Sequence, residues 1–167
     1  MDLAKQQGLV AAGESRDLVH NNLVLIVPAD GKLDIARLQD LVQPGVRRIT
    51  IGNSASVPVG RYPREALQAA RLWSVLQAKA INAQNVSQSL YYVARGEVDA
   101  GFVYATDAAL MKEKVRVAVQ VPLNTPIRYS IAMVTGSAHD AEARRFVAYL
   151  GSPAAQVVFT RHGFVTP

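Results

Sequence analysis

The chain has 167 residues, half of them hydrophobic, with a formal charge of +5 and no cysteine. That length suits one ordinary domain or two small lobes, and the missing cysteine excludes disulfides, thiol catalysis and zinc–thiolate sites. No apolar run reaches the roughly 18 residues of a membrane-crossing helix, and the basic residues, adjacent only at Arg47-Arg48 and Arg144-Arg145, form no stripe for nucleic acid.

Residues 1–7 favour a helix with Gly8 as its C-terminal cap. A polar stretch over 13–17 leads to a strand at 23–27, which Pro28 closes. Asp34 is placed to cap a short helix, 35–42, that stops before Pro44-Gly45. A strand at 48–51 then opens onto a loop, 52–60, rich in Gly, Ser, Asn and Pro. Ala66, Leu67, Ala70, Trp73 and Leu76 recur at the spacing of one helical face, so a helix is expected over 64–78. Pro63 suits its first turn, where the missing N–H costs nothing. A strand, a glycine-bearing loop and a helix start in succession gather free backbone N–H groups, which can bind an anion without a cation. The same succession also serves as a plain strand–helix connection.

Residues 80–83 read as a short strand. Asn85 is an N-cap, Val86, Leu90 and Val93 share a face, and Gly96 ends this second helix. Residues 100–104 read as a buried strand, followed by a helical turn to Met111 that Thr106 or Asp107 caps. Strands are expected at 115–121 and 129–134. Asp140 starts a helix with Ala143, Phe146, Val147 and Leu150 on one face, and Ser152-Pro153 starts a last one that runs to His162-Gly163. About six strands alternate with helices, the α/β pattern of a mostly parallel sheet flanked by helices. Ligands in such sheets sit beyond the carboxyl ends of strands, and the stretches 52–62 and 104–107 both leave such ends.

His20, His139 and His162 lie far apart, so no bound metal cation is expected. No Ser–His–Asp set, no paired carboxylates at helical spacing and no Walker or dinucleotide glycine motif occurs. The chain is therefore not expected to be an enzyme.

Three segments fit together: Ile51-Gly52-Asn53 with Val57-Pro58-Val59-Gly60-Arg61-Tyr62, the helix start Asn85-Val86, and Gly101-Phe102-Val103-Tyr104-Ala105-Thr106-Asp107-Ala108. With the ending Tyr149-Leu150-Gly151-Ser152-Pro153, they make the whole chain resemble the periplasmic molybdate-binding proteins of molybdate ABC transporters. The resemblance implies a periplasmic-binding-protein-like α/β fold of two lobes closing on one oxyanion in the cleft between them. Residues 25–130 would be one complete lobe, and 1–24 with 131–167 the remainder of the other. The serine-bearing segments of the family's first lobe have no match here, so half the cleft would be missing.

Position by position, the resemblance implies that the backbone N–H groups of Val59 and Val86 and the hydroxyl of Tyr104 bind the oxyanion. The ligand would be molybdate or tungstate, with molybdenum present only as the oxyanion and no further cofactor. It also implies a periplasmic location, although no secretory signal opens these residues, and delivery to the membrane permease of an ABC importer, with no nucleic-acid partner. Two alternatives stay open: an effector-sensing domain of a transcription regulator, and a binder of another tetrahedral oxyanion such as sulfate. Each site residue also has a plain structural reading, Val59 as a loop valine, Val86 as a core contact and Tyr104 as a packed core tyrosine. A lobe remainder should leave Phe146, Val147, Leu150, Val158 and Phe159 uncovered, and such patches drive self-association.

Overall fold

The computed structural model describes residues 1–11, 13–52 and 58–167, with the side chains of 58–60 excepted. In chain order its elements are α1 (Asp2–Gln6), β1 (Arg16–Asn21), β2 (Leu23–Pro28), a 3-10 turn (Leu38–Val42), β3 (Ile49–Gly52), α2 (Pro58–Ala69), α3 (Trp73–Leu76), β4 (Ala80–Ala83), α4 (Val86–Ala94), β5 (Ala100–Tyr104), α5 (Ala105–Ala109), β6 (Val115–Gln120), β7 (Ile127–Ile131), α6 (Asp140–Leu150) and α7 (Pro153–Arg161). Contacts divide them into two compact units, Asn22–Thr125 and the paired segments Met1–Asn21 and Pro126–Pro167.

The larger unit is a sheet in the order β4-β3-β5-β2-β6. β3 runs parallel to β4 and β5, while β2 runs antiparallel to β5 and β6. Every strand but β2 therefore points the same way. β2 begins with a hydrophobic run, Leu23 to Val27, and all of it is buried. Strand side chains alternate between faces, so an unbroken run requires a sheet covered on both sides. On one side α4 and α5 bring Leu90, Val93 and Ala108 against Val24, Ile26 and Val103. The chain moves one way across the sheet through α2 and the other way through α4, so right-handed crossovers put α2 on the opposite face. There α2 packs against β3 and β5. Burying side chains such as Leu23, Ile49, Leu67 and Phe102 contributes roughly 1.5–3 kcal/mol each. Gly101 sets how closely α4 approaches: a Cβ there would stand 2.5 Å from Thr50 Cγ2 and 2.7 Å from Val93 Cγ2.

In the smaller unit β1 and β7 form a two-stranded antiparallel ladder, with Arg16 opposite Ile131 and Asn21 opposite Ile127. A single bridge joins His20 to Val165 on the far side of β1. Asp17 ties the ladder together through His20 Nε2 at 3.4 Å, Ser130 Oγ at 3.1 Å and Arg128 Nε at 3.5 Å. Gly8 closes α1 in the left-handed region, as expected, with φ +69°. Ser152 Oγ accepts the N–H of Ala155 at 3.3 Å and caps α7.

Several expectations are corrected. The helix after β3 begins at Pro58, not at 64, and ends at Ala69. Pro58 takes the first-turn position expected of Pro63, which instead lies inside the helix. Arg71 at φ +58° breaks the continuation, so Trp73 and Leu76 sit on a separate short helix, α3. Residues 53–57 of the expected loop lie outside the described residues. The helix expected at 35–42 is a short 3-10 turn. Asp34 does not cap it: the N-cap is Arg37, and Asp40, the third residue of the turn, reaches back so that its Oδ2 accepts the N–H groups of Ala36 and Arg37, both at 2.9 Å. Neither Thr106 nor Asp107 caps α5, because the backbone turns at Tyr104 and leaves both inside the first turn. β1 was not expected as a strand, and β7 begins two residues earlier than its expected start. β7 is largely exposed, and the covered residues of β1 include the polar Asp17, His20 and Asn21, so neither shows the apolar alternation by which a sequence reveals a strand.

Candidate functional site

β3, β4 and β5 run parallel, and their register aligns them: Gly52 stands opposite Ala83, and Thr50 opposite Gly101. Their carboxyl ends therefore share one edge of the sheet. A helix begins beyond each end: α2 at Pro58, α4 at Val86 and α5 at Ala105. β2 starts at this same edge, with Leu23 opposite Tyr104.

The three expected site residues all fall on this edge. Val59 is in the first turn of α2 rather than in a loop. Pro58 has no N–H, so the first amide that α2 can offer outward is that of Val59. Val86 is the first residue of α4, behind the N-cap Asn85. Its side chain is partly buried against the core cluster, so its core reading holds for the side chain and leaves the amide to the edge. Tyr104 is the last residue of β5 and the N-cap of α5. It is partly exposed, unlike the four fully buried residues before it.

The start of α4 is fixed by a reciprocal clasp that the sequence reading missed. Asn85 Oδ1 accepts the N–H of Gln88 at 2.8 Å, and Gln88 Oε1 accepts the N–H of Gln84 at 2.7 Å. The signal was available, since Asn at the cap with Gln three residues later is a form of capping box. The amides of Val86 and Ser87 are the first-turn groups this clasp does not use, and the helix supplies them no acceptor.

The electrostatics of the edge are mild. Across the first four residues of α2, α4 and α5 the charged side chains are Arg61 and Asp107. Arg61 reaches Glu65 at 3.5 Å and lies over the Tyr62 ring. Burial pushes the Asp107 carboxyl above the usual carboxylate range. Among the described residues no cluster of three or more His, Cys, Asp or Glu could hold a metal cation. A groove of about 400 Å³ runs beside α2, lined by Leu38, Ala66, Ala69 and Val119 among others, and contains none of the three candidate residues. What the edge can offer is uncharged donors and two helix N-termini of useful length, which suits an anion held by hydrogen bonds.

Comparison with known proteins agrees with this architecture. Residues 1–165 match the family profile of bacterial extracellular solute-binding proteins. An ABC transporter substrate-binding lipoprotein, as it is described in Bacillus subtilis, is 37% identical over 159 residues, covering 94% of this chain and 60% of that one. The molybdate-binding protein of Haemophilus influenzae is 33% identical over 169 residues, covering 98% of this chain and 66% of that one. The chain thus spans less than two thirds of the length of these relatives. Among solved structures, the substrate-binding domain of a molybdenum ABC transporter from Clostridium difficile superposes with a TM-score of 0.88 at 30% identity, over 100% of this chain and 72% of that one.

Proposed function

The chain belongs to the family of bacterial extracellular solute-binding proteins, and from that membership we propose that it binds a tetrahedral metal oxyanion, molybdate or tungstate, for delivery to the membrane permease of an ABC importer. Its fold is periplasmic-binding-protein-like, and its place is on the outer side of the cytoplasmic membrane. Residues 25–130 act as one lobe, and 1–24 with 131–167 belong to a second. The observation that carries the reading is the shared sheet edge, where the first turns of α2 and α4 and the end of β5 meet. The ligand's oxygens accept from the amides of Val59 and Val86 and from the Tyr104 hydroxyl. Uncharged donors fix the geometry and still let the ion leave. Molybdate and tungstate are preferred to sulfate by size, because donors spaced for the larger ion cannot all reach the smaller one.

A hydrogen bond to a charged group contributes about 1.5–3 kcal/mol net. Three such donors give on the order of 5–9 kcal/mol, against association costs of at least about 4 kcal/mol. The remainder corresponds to affinity near millimolar or weaker for these residues alone. Isothermal titration of the chain with molybdate, tungstate and sulfate tests this. Weak binding of the two larger ions, lost in Tyr104→Phe and in Val59→Pro with the fold intact, is the expected result. Unchanged affinity in both variants would remove these residues from the site, and submicromolar affinity in the parent would show that three donors are too few to account for it.

A further inference from the structure

β3 and β5 stop pairing before either strand ends. Their ladder closes at Thr50 and Gly101, although β3 runs on to Gly52 and β5 to Tyr104. The N–H of Ala105 bonds the Asn22 carbonyl, on the β2 side, at 2.9 Å. Backbone groups alternate from side to side along a strand, so those of Phe102 face β3, just past the end of the ladder. The Phe102 carbonyl is taken by α4 instead: Ser89 Oγ donates to it at 3.0 Å. Ser89 is fully buried. A serine inside a helix ordinarily bonds a carbonyl of its own preceding turn or points to water, whereas this one reaches across to a strand. Gly101 leaves room for it, since a Cβ there would stand 3.2 Å from Ser89 Oγ. Thr50 lines the same seam, and its Oγ1 is buried with no hydrogen-bond partner among the described residues. Leu90 and Val93 hold α4 on the sheet through apolar packing, which has no direction of its own. The Ser89 bond is directional, and it fixes where along β5 the helix sits.

We propose that Ser89 is a positioning residue for the oxyanion site: its bond to Phe102 sets the spacing between the Val86 amide and the Tyr104 hydroxyl, on which selection among ions by size depends. The proposal rests on the oxyanion-binding reading of that sheet edge. Val86 lies three residues before Ser89, roughly 4.5 Å along the helix axis. Tyr104 lies two residues after Phe102, roughly 6.6 Å along the strand. One buried polar bond therefore ties together the two elements that carry these donors, within about a turn of each. The Asn85–Gln88 clasp joins residues within 84–88 only, so it shapes the start of α4 without placing it on the sheet. Donors spaced for a larger ion fail to close on a smaller one only while their spacing is rigid, and that rigidity comes from the residues behind them. Without the Ser89 hydroxyl, apolar packing alone holds the helix, and its first turn is free to shift toward either ion.

The test is an amide NMR titration of the full chain with molybdate and, separately, with sulfate. It is run on the parent and on Ser89→Ala, Thr50→Val and Val93→Ala, with urea unfolding of each. Ser89→Ala should bind molybdate about tenfold more weakly, the size of effect that outer hydrogen-bond partners have at metal sites. Its sulfate affinity should change little, so the ratio of the two affinities falls. Thr50→Val removes a hydroxyl without a partner from the same seam and should leave both ratio and stability as they are. Val93→Ala should lose at least as much stability as Ser89→Ala yet keep the parent's ratio, because it removes packing and spares the bond. An equal fall in ratio in Val93→Ala would make Ser89 one more packing contact and overturn the proposal. So would a parent that prefers molybdate beside a Ser89→Ala chain with the same preference, whatever its stability. A parent that binds neither ion, or both alike, would instead overturn the oxyanion reading and this role with it.

Discussion

The two units draw on the same hydrophobic residue types and use them differently. In the unit Asn22–Thr125, β2 alone buries five consecutive hydrophobic side chains, and helices cover both faces of its sheet. In the unit that joins the two ends of the chain, β1 and β7 pair with each other, and α6, with Phe146 and Tyr149, buries nothing. The difference lies in geometry more than in composition. A central strand with neighbours on both sides and helices above and below converts each hydrophobic residue into buried area. A two-stranded ladder cannot, whatever residues it carries. Stability should therefore be concentrated in the larger unit.

The largest effect that would sharpen this contrast is in the core. Phe102→Ala should cost about 3–5 kcal/mol in urea unfolding, whereas Phe146→Ala should change stability by no more than about 0.5 kcal/mol. Equal losses at the two positions would show that α6 is already covered in solution. Next comes Gly101→Val, whose side chain would push into Thr50 and Val93 at a cost of about 1–3 kcal/mol. Failure to destabilise would mean that α4 can ride outward from the sheet. Asn85→Ala should cost about 1 kcal/mol through loss of the cap on Gln88. Titration calorimetry on the same variant should show weaker oxyanion binding if the clasp holds the Val86 amide in place.

The smallest effect is in pH, and Asp17 of the smaller unit and Asp107 of the larger one should respond in opposite senses. The His20 ring, with Ser130 and Arg128, holds the Asp17 carboxyl below the usual range. Its contribution is present above the unfolded value of about 3.9 and is lost as pH falls through the lower folded value. Burial raises Asp107, so its charged form is disfavoured and stability falls slightly as pH rises from about 3.9 through the folded value. Amide exchange across this range should show the β1–β7 ladder loosening first in acid. Asp107→Asn should remove the opposing trend from the larger unit without altering the ladder.

Much of this was legible in advance where burial and backbone chemistry agree. The run at 23–27, the strands at 80–83 and 100–104, and the caps at Asn85, Gly8 and Ser152 are local signals whose partners lie within a few residues. The start of α2 was not legible, because two prolines, Pro58 and Pro63, both suit a first turn and only packing against β3 and β5 chooses between them. β1 was missed, and the start of β7 was placed two residues late, because pairing, not hydrophobic pattern, makes them strands.

The amino-acid order alone determined the α/β alternation, the absence of thiol chemistry and the motifs that carry the family likeness, since each depends on neighbours in the chain. Only the tertiary structure decided the register that puts Val59, Val86 and Tyr104 on one sheet edge, and that of the last two helices Phe146 and Val158 are exposed while Val147, Leu150 and Phe159 are half-buried. Strand register and helix packing bring together residues far apart in sequence, and no local pattern encodes which faces will find a partner.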